Sequence, residues 1–160
     1  MKSNPPDERR DSIGVPADVR RELRRVAQRL GPIGHSIHWL GTTGSTNDVA
    51  SRLAEIGAAE GATVVAEAQT AGRGRHGRAW FSPAGAGLYA SVILRPSKEA
   101  CAAGRENPIA LLTLAAGVAI ADAVRIATGL PAEIKWPNDV MIGRRKLAGI
   151  LAESAGHASA

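Results

Sequence analysis

The stretch "IALLTLAAGVAIA", residues 109–121, limits what this chain can fold into more than any other feature. It carries no charge before Asp122, and its ends are marked. Asn107 can cap a helix, Pro108 suits a first helical position, and Gly129 followed by Pro131 stops it. Thirteen apolar residues fall short of the roughly 20 that span a bilayer, so a helix buried in a globular core is expected. The material to cover it is mostly small. Among 160 residues the only aromatics are Trp39, Trp80, Phe81, Tyr89 and Trp136, so Ala, Val, Ile and Leu must build the core, with Trp136 a candidate member. That length suffices for one domain with a real core.

The other elements follow from period and punctuation. Residues 1–14, with Pro5-Pro6 and mixed charges, read as a disordered tail, and residues 15–160 as one domain. Val15, Val19, Leu23, Val26 and Leu30 recur at helical spacing, with Pro16 in the first turn and Gly31 past the end. "SIHWLG" (36–41) reads as a strand. Ser45 and Asp48 resemble a capping box opening a helix over roughly 46–57. "ATVVAE" (62–67) and "GLYASVILR" (87–95) read as strands around a long Gly-rich loop, 69–86. A small-residue loop holding Cys101 follows. "AEIKW" (132–136) leads into the turn Pro137-Asn138-Asp139, and "DVMI" with "KLAGILAE" forms a hairpin around Gly143-Arg144-Arg145. This mixture predicts an α/β or α+β domain with a mixed sheet.

Charge and cysteine narrow the function classes. The net charge of +5 is mostly local: residues 1–30 hold eight basic and five acidic side chains, so the rest carries only +2. A solvated helix face explains that excess better than a nucleic-acid surface. One cysteine excludes an internal disulfide and a cysteine zinc site, and the four histidines show no metal-ligand spacing. The polar N-terminus is not a secretory signal, and a reducing cytoplasm is the expected location, with no membrane partner.

Three segments could carry chemistry. "QTAGRGRHGRAW" (69–80) lies in a window free of acid between Glu67 and Glu99 that also holds Arg95 and Lys98. Gly72, Gly74 and Gly77 allow close backbone approach, and Arg73, Arg75 and Arg78 offer forked donors for phosphate or carboxylate oxygens. An anion-binding loop, a solvated surface loop and an Arg/Gly RNA-binding segment all fit the composition. A P-loop does not, because no Gly-Lys-Ser/Thr follows. In "KWPND" (135–139), Lys135 at a strand end could set a point charge on a phosphate or carboxylate, or be an exposed edge lysine. In "GSTN" (44–47) the polar residues could cap a helix or line a donor-rich pocket wall.

Their order is more specific than any one of them. "GSTN", "EAQTAGRGRHGRAW", "KWPND" and "KLAGIL" succeed one another as in the catalytic domain of biotin protein ligases (biotin–[acetyl-CoA-carboxylase] ligases), which the chain resembles from about Trp39 to Glu153. The resemblance implies an α+β catalytic domain of the biotin ligase and class II aminoacyl-tRNA synthetase-like type, a mixed sheet flanked by helices. It implies a two-step reaction: biotin and MgATP give biotinyl-5′-AMP and pyrophosphate, then the acyl group moves to a lysine of a biotin carboxyl carrier domain. Ser45, Thr46, Asn47, Gln69, Gly72, Arg73, Lys135, Gly149 and Ile150 would bind biotin. Arg73, Arg75, Arg78, Trp80, Lys135 and Asn138 would bind the nucleotide, with Lys135 and Arg75 acting on the reacting groups. Trp80 would close against the adenylate as the loop orders. Mg2+ is expected, with ligands the sequence does not identify. Position 76 is histidine where many relatives carry arginine, and is expected to tolerate the change. The N-terminus is too short for the DNA-binding domain of repressor-type members, so no DNA partner is expected, whereas a homodimer is compatible with the family. Relatives continue beyond "GILAE" with another strand and commonly a small C-terminal barrel. The alternative expectation is therefore an inactive remnant or fragment of such a ligase.

Overall fold

The structure, a computed structural model, describes residues 14–34, 36–97 and 108–154. Most of the expected tail, the loop holding Cys101 and the Asn107 cap lie outside the described residues. The single domain read from sequence divides into two compact units: residues up to Gly72 with Ala79–Arg95, and Arg73–Arg78 with Pro96–Ser154.

The first unit opens with α1 (Ala17–Leu30), none of whose side chains is fully buried. Gly31 follows at φ 57°, where glycine avoids the strain of a side chain. A βαβ segment then sets the architecture: β1 (Ile37–Thr43), α2 (Thr46–Glu55) and β2 (Thr63–Gln69). β2 is central, parallel to β1 and antiparallel to β3 (Tyr89–Val92). In α2, Thr46, Val49, Ala50 and Leu53 recur at the spacing of one helix face. That face meets Leu40, Val64, Ala66 and Ile93 in the core. Its connection to β2 passes so close to Pro32 that a Cβ on Gly61 would lie 2.2 Å from the Pro32 carbonyl oxygen.

The second unit packs α3 (Pro108–Thr128) against an antiparallel sheet of β4 (Ala132–Lys135), β5 (Asp139–Ile142) and β6 (Arg145–Gly149). Its buried centre is small: Ala121, Ala132 and Val140, ringed by half-buried Ile120, Val124, Ile134 and Ile150. The buried helix expected here is mostly exposed. Leu111, Leu114, Val118 and Ile126 all face outward, and 11% of residues Ala110–Thr128 are buried. Within this unit a three-stranded sheet covers one side of a helix apolar all round. The apolar segment is also longer than its thirteen uncharged residues suggest. At 19 residues and mean hydropathy 1.8 it meets the length and composition of a membrane span, a test that core helices of soluble proteins also pass. Trp136 is not core either. It is 79% exposed, because it sits in the turn after β4, beyond the sheet that could cover it.

The mixed strand pairing expected from sequence is found in the first unit, and the hairpin after "KWPND" in the second. The strand expected over 87–95 shortens to four residues. The 69–86 loop is less irregular than it reads. Gln69 and Ser82 form an antiparallel bridge, and a 3-10 turn occupies Arg75–Gly77.

Candidate functional site

Parallel pairing of β1 with β2 brings Thr43 opposite Gln69, so the start of α2 and the end of β2 meet at the carboxyl ends of parallel strands. Open α/β sheets commonly bind ligands there. Thr46 occupies the first helical turn and needs an acceptor for its backbone N–H. The capping box expected at Ser45 does not supply one, since the Ser45 side chain makes no cap hydrogen bond. Instead the Thr46 N–H donates to Gln69 Oε1 at 2.8 Å, and the Thr46 hydroxyl donates to the same oxygen at 3.1 Å. Gln69 Nε2 donates to Ser82 Oγ at 3.0 Å. Ser91 Oγ lies 2.9 Å from Thr46 Oγ1 and within hydrogen-bonding reach of Asn47 Oδ1. Ser45, Thr46, Ser82 and Ser91 are all buried. Left unpaired, each such group would cost about 1–3 kcal/mol. This polar wall is thus largely assembled by internal bonds.

The stem of the Arg/Gly loop is fastened beside it. Gln69 N–H donates to the Ser82 carbonyl at 2.9 Å, and Trp80 N–H to the Gly72 carbonyl at 2.8 Å. Gly72 is required here: a Cβ would lie 2.5 Å from the Trp80 carbonyl oxygen and 2.7 Å from Ser82 Oγ. Ser45, Thr46, Asn47, Gln69, Gly72 and Trp80 therefore belong to the first unit.

The loop tip and the remaining cations belong to the second unit. The tip is a tight turn, closed by Gly74 N–H on the Arg78 carbonyl at 2.7 Å. His76 takes φ 58°, ψ 37°, a left-handed conformation that costs a side-chain-bearing residue roughly 1–2 kcal/mol. The position expected to tolerate change is therefore constrained by its backbone. Arg73 pairs with Glu153 at 3.1 Å, and Arg75 Nη1 donates to Asn138 Oδ1 at 3.4 Å. Asn138 is itself anchored: its Nδ2 donates to the Ile150 carbonyl at 3.1 Å, and the Ile150 N–H returns to the Asn138 carbonyl at 2.9 Å. Through this clasp the "KWPND" turn holds Arg75 and Ile150 together. Ile150 packs against the second core, and Gly149 ends β6 opposite Asp139. Lys135, at the end of β4, is exposed. Among the described residues, neither the Lys135 ammonium nor the Arg78 guanidinium has an ion-pair partner. Two uncommitted cations on fixed elements can receive an anion without first breaking an internal pair.

Sequence reasoning missed Ser82, Ser91 and Glu153. Ser91 left a signal: it shares the buried side of its strand with Tyr89 and Ile93, where an apolar residue would be expected. Ser82 and Glu153 gave none, because their partners are 13 and 80 residues away in the chain.

Comparison with known proteins identifies the chain's family. Residues 40–160 match the Biotin/lipoate A/B protein ligase family, and the chain belongs to that family. It is 41% identical to the bifunctional ligase/repressor BirA of Bacillus subtilis over 141 residues, covering 88% of this chain and 42% of that protein. It is equally 41% identical to the biotin–[acetyl-CoA-carboxylase] ligase of Mycobacterium tuberculosis over 150 residues, covering 91% of this chain and 54% of the relative. Among solved structures, the biotin protein ligase of Aquifex aeolicus in complex with biotin and ATP superposes with a TM-score of 0.62 at 38% identity, over 76% of this chain and 47% of that one. The Leishmania major biotin protein ligase in complex with biotin also gives 0.62, at 33% identity, over 76% and 52% of the two chains. The chain thus spans about half the length of the relatives it matches.

Proposed function

We propose that this chain performs the ATP-dependent activation of biotin and its transfer to a lysine of a biotin carboxyl carrier domain. The observation that carries the reading is the coincidence of family membership with a pre-bonded polar wall of buried Ser45 and Thr46 and half-buried Asn47 and Gln69. Relatives named for this reaction, and a relative holding biotin and ATP, support it. In the first step a biotin carboxylate oxygen attacks the α-phosphorus of ATP. The bond to the bridging oxygen breaks and pyrophosphate leaves. In the second the lysine amine attacks the acyl carbon and AMP leaves with the bonding electrons.

The chain's residues divide these duties. Ser45, Thr46, Asn47 and Gln69 supply a fixed polar wall for the uncharged head of biotin, and Gly72 lets the backbone come close to it. Lys135, Arg73, Arg75 and Arg78 supply the positive charge needed where carboxylate and phosphate are brought together. Asn138 orients Arg75. Gly149 and Ile150 offer a floor, and Trp80 with the loop tip shields the labile adenylate from water. Among the described residues no group of three or more His, Cys, Asp or Glu side chains could hold a metal ion. Magnesium is expected to enter with the nucleotide as MgATP. A cytoplasmic location completes the reading, since ATP and carrier proteins are available there.

The test is biotin-dependent exchange of labelled pyrophosphate into ATP, run beside calorimetric titration with biotin. Exchange that requires biotin supports the reading. Biotin binding without exchange would reduce it to a binding module, and a folded chain that does neither would overturn it.

A further inference from the structure

The polar wall holds more protons than a list of contacts shows, and their directions can be counted. A backbone N–H can only donate, so the Gln69 atom 2.8 Å from Thr46 N is the amide oxygen. That oxygen cannot donate, so the Thr46 hydroxyl spends its single proton on Gln69 Oε1. Thr46 Oγ1 is then only an acceptor, and the hydrogen in its 2.9 Å contact with Ser91 must come from Ser91. The further contact of Ser91 with the Asn47 amide is met by sharing that proton or, with the amide turned over, by a hydrogen from Asn47. At the other end, Gln69 Nε2 donates to Ser82 Oγ, leaving the Ser82 proton for the Trp80 carbonyl at 3.2 Å. Gln69 thus uses its oxygen twice and one of its two N–H groups once.

We propose that Ser91 is a positioning residue: by committing the Thr46 proton to Gln69, it leaves Gln69 with one spare N–H and no spare acceptor. The site then selects a ligand carrying a hydrogen-bond acceptor, such as the carbonyl oxygen of a cyclic urea, over one carrying a donor at that point. Without the Ser91 hydroxyl the Thr46 hydroxyl can rotate, and its proton is free to turn from Gln69. Ser91 itself need not touch the ligand. The choice of ligand class rests on the biotin reading above, whereas the bonding chain does not.

The experiment uses the full chain, labelled with nitrogen-15, and follows the Gln69 side-chain amide signals, assigned by their loss in Gln69→Glu. Ser91→Ala is expected to shift these signals and speed their hydrogen exchange, and to weaken biotin binding roughly fivefold to tenfold. Ser91→Thr, which keeps the hydroxyl, should restore both. Ser91→Cys, whose thiol is a weak donor, serves if Ser91→Ala does not fold. Gln69 signals unmoved in folded Ser91→Ala, or in Ser91→Cys where it stands in, would overturn the proposal whatever biotin does. If Ser91→Ala moves the Gln69 signals but the wild-type chain takes no biotin, the functional reading is overturned and Ser91's role stands.

Discussion

The two units solve different problems with the same element types. In the first, a βαβ segment plus one antiparallel strand encloses an aliphatic core, and its polar groups are buried and bonded to one another. In the second, a long apolar helix lies on a small antiparallel sheet whose fully buried centre is three residues, and the groups proposed to act there are exposed cations. Under the proposed function, the contrast matches the chemistry asked of each. Recognition of an uncharged polar head needs exact donor and acceptor positions, which burial and mutual bonding provide. Neutralising phosphate needs charge that stays solvated until the ligand arrives, because a buried unpaired cation would cost several kcal/mol.

The largest test of that contrast is at Lys135. Lys135→Ala should lower the rate of biotin-dependent pyrophosphate exchange about 10²–10³-fold, as expected for loss of a group that stabilises developing charge. Its thermal melting should hardly change, because the side chain is exposed. A mutant that unfolds instead would mean that the second unit's cations are structural. An intermediate effect compares the two cores directly. Val64 and Val140 are both fully buried. Val64→Ala should cost about 2–3 kcal/mol and Val140→Ala about 1–2 kcal/mol in urea unfolding, since the thinner second core can relax around the deletion. Equal costs would erase the distinction. The smallest effect is at the loop tip. His76→Gly removes left-handed strain but frees the unfolded chain, for a net gain of about 0.5 kcal/mol. Differential scanning calorimetry would resolve its sign, and a clear loss of stability would show that the imidazole makes a contact outweighing the strain.

Much of this was legible in the chain itself. The polar start at Ser45 and Asp48, and the Pro and Gly brackets around 108–131, mark helices at nearly their observed lengths. The "KWPND" turn and hairpin fall where Pro, Asn and Gly place them. These features depend on near neighbours in sequence, so the sequence carries them openly. What it misplaced depended on distant partners. The helix 108–128 reads as buried because its composition is apolar, but how much of it is covered depends on the width of the sheet beneath it. Ser45 reads as the cap because capping preferences are local, yet the acceptor for Thr46 arrives from the end of another strand.

By itself, then, the sequence determined the elements, the family and the residue types at the site, because periodicity, turn chemistry and motif order are written within short stretches. Only the tertiary structure decided that Gln69 closes the start of α2, that Ser82 and Ser91 complete its bonding, and that Asn138 ties Arg75 to Ile150. Hydrogen bonds form between atoms that folding brings within about 3 Å, and no local pattern says which distant side chains those will be.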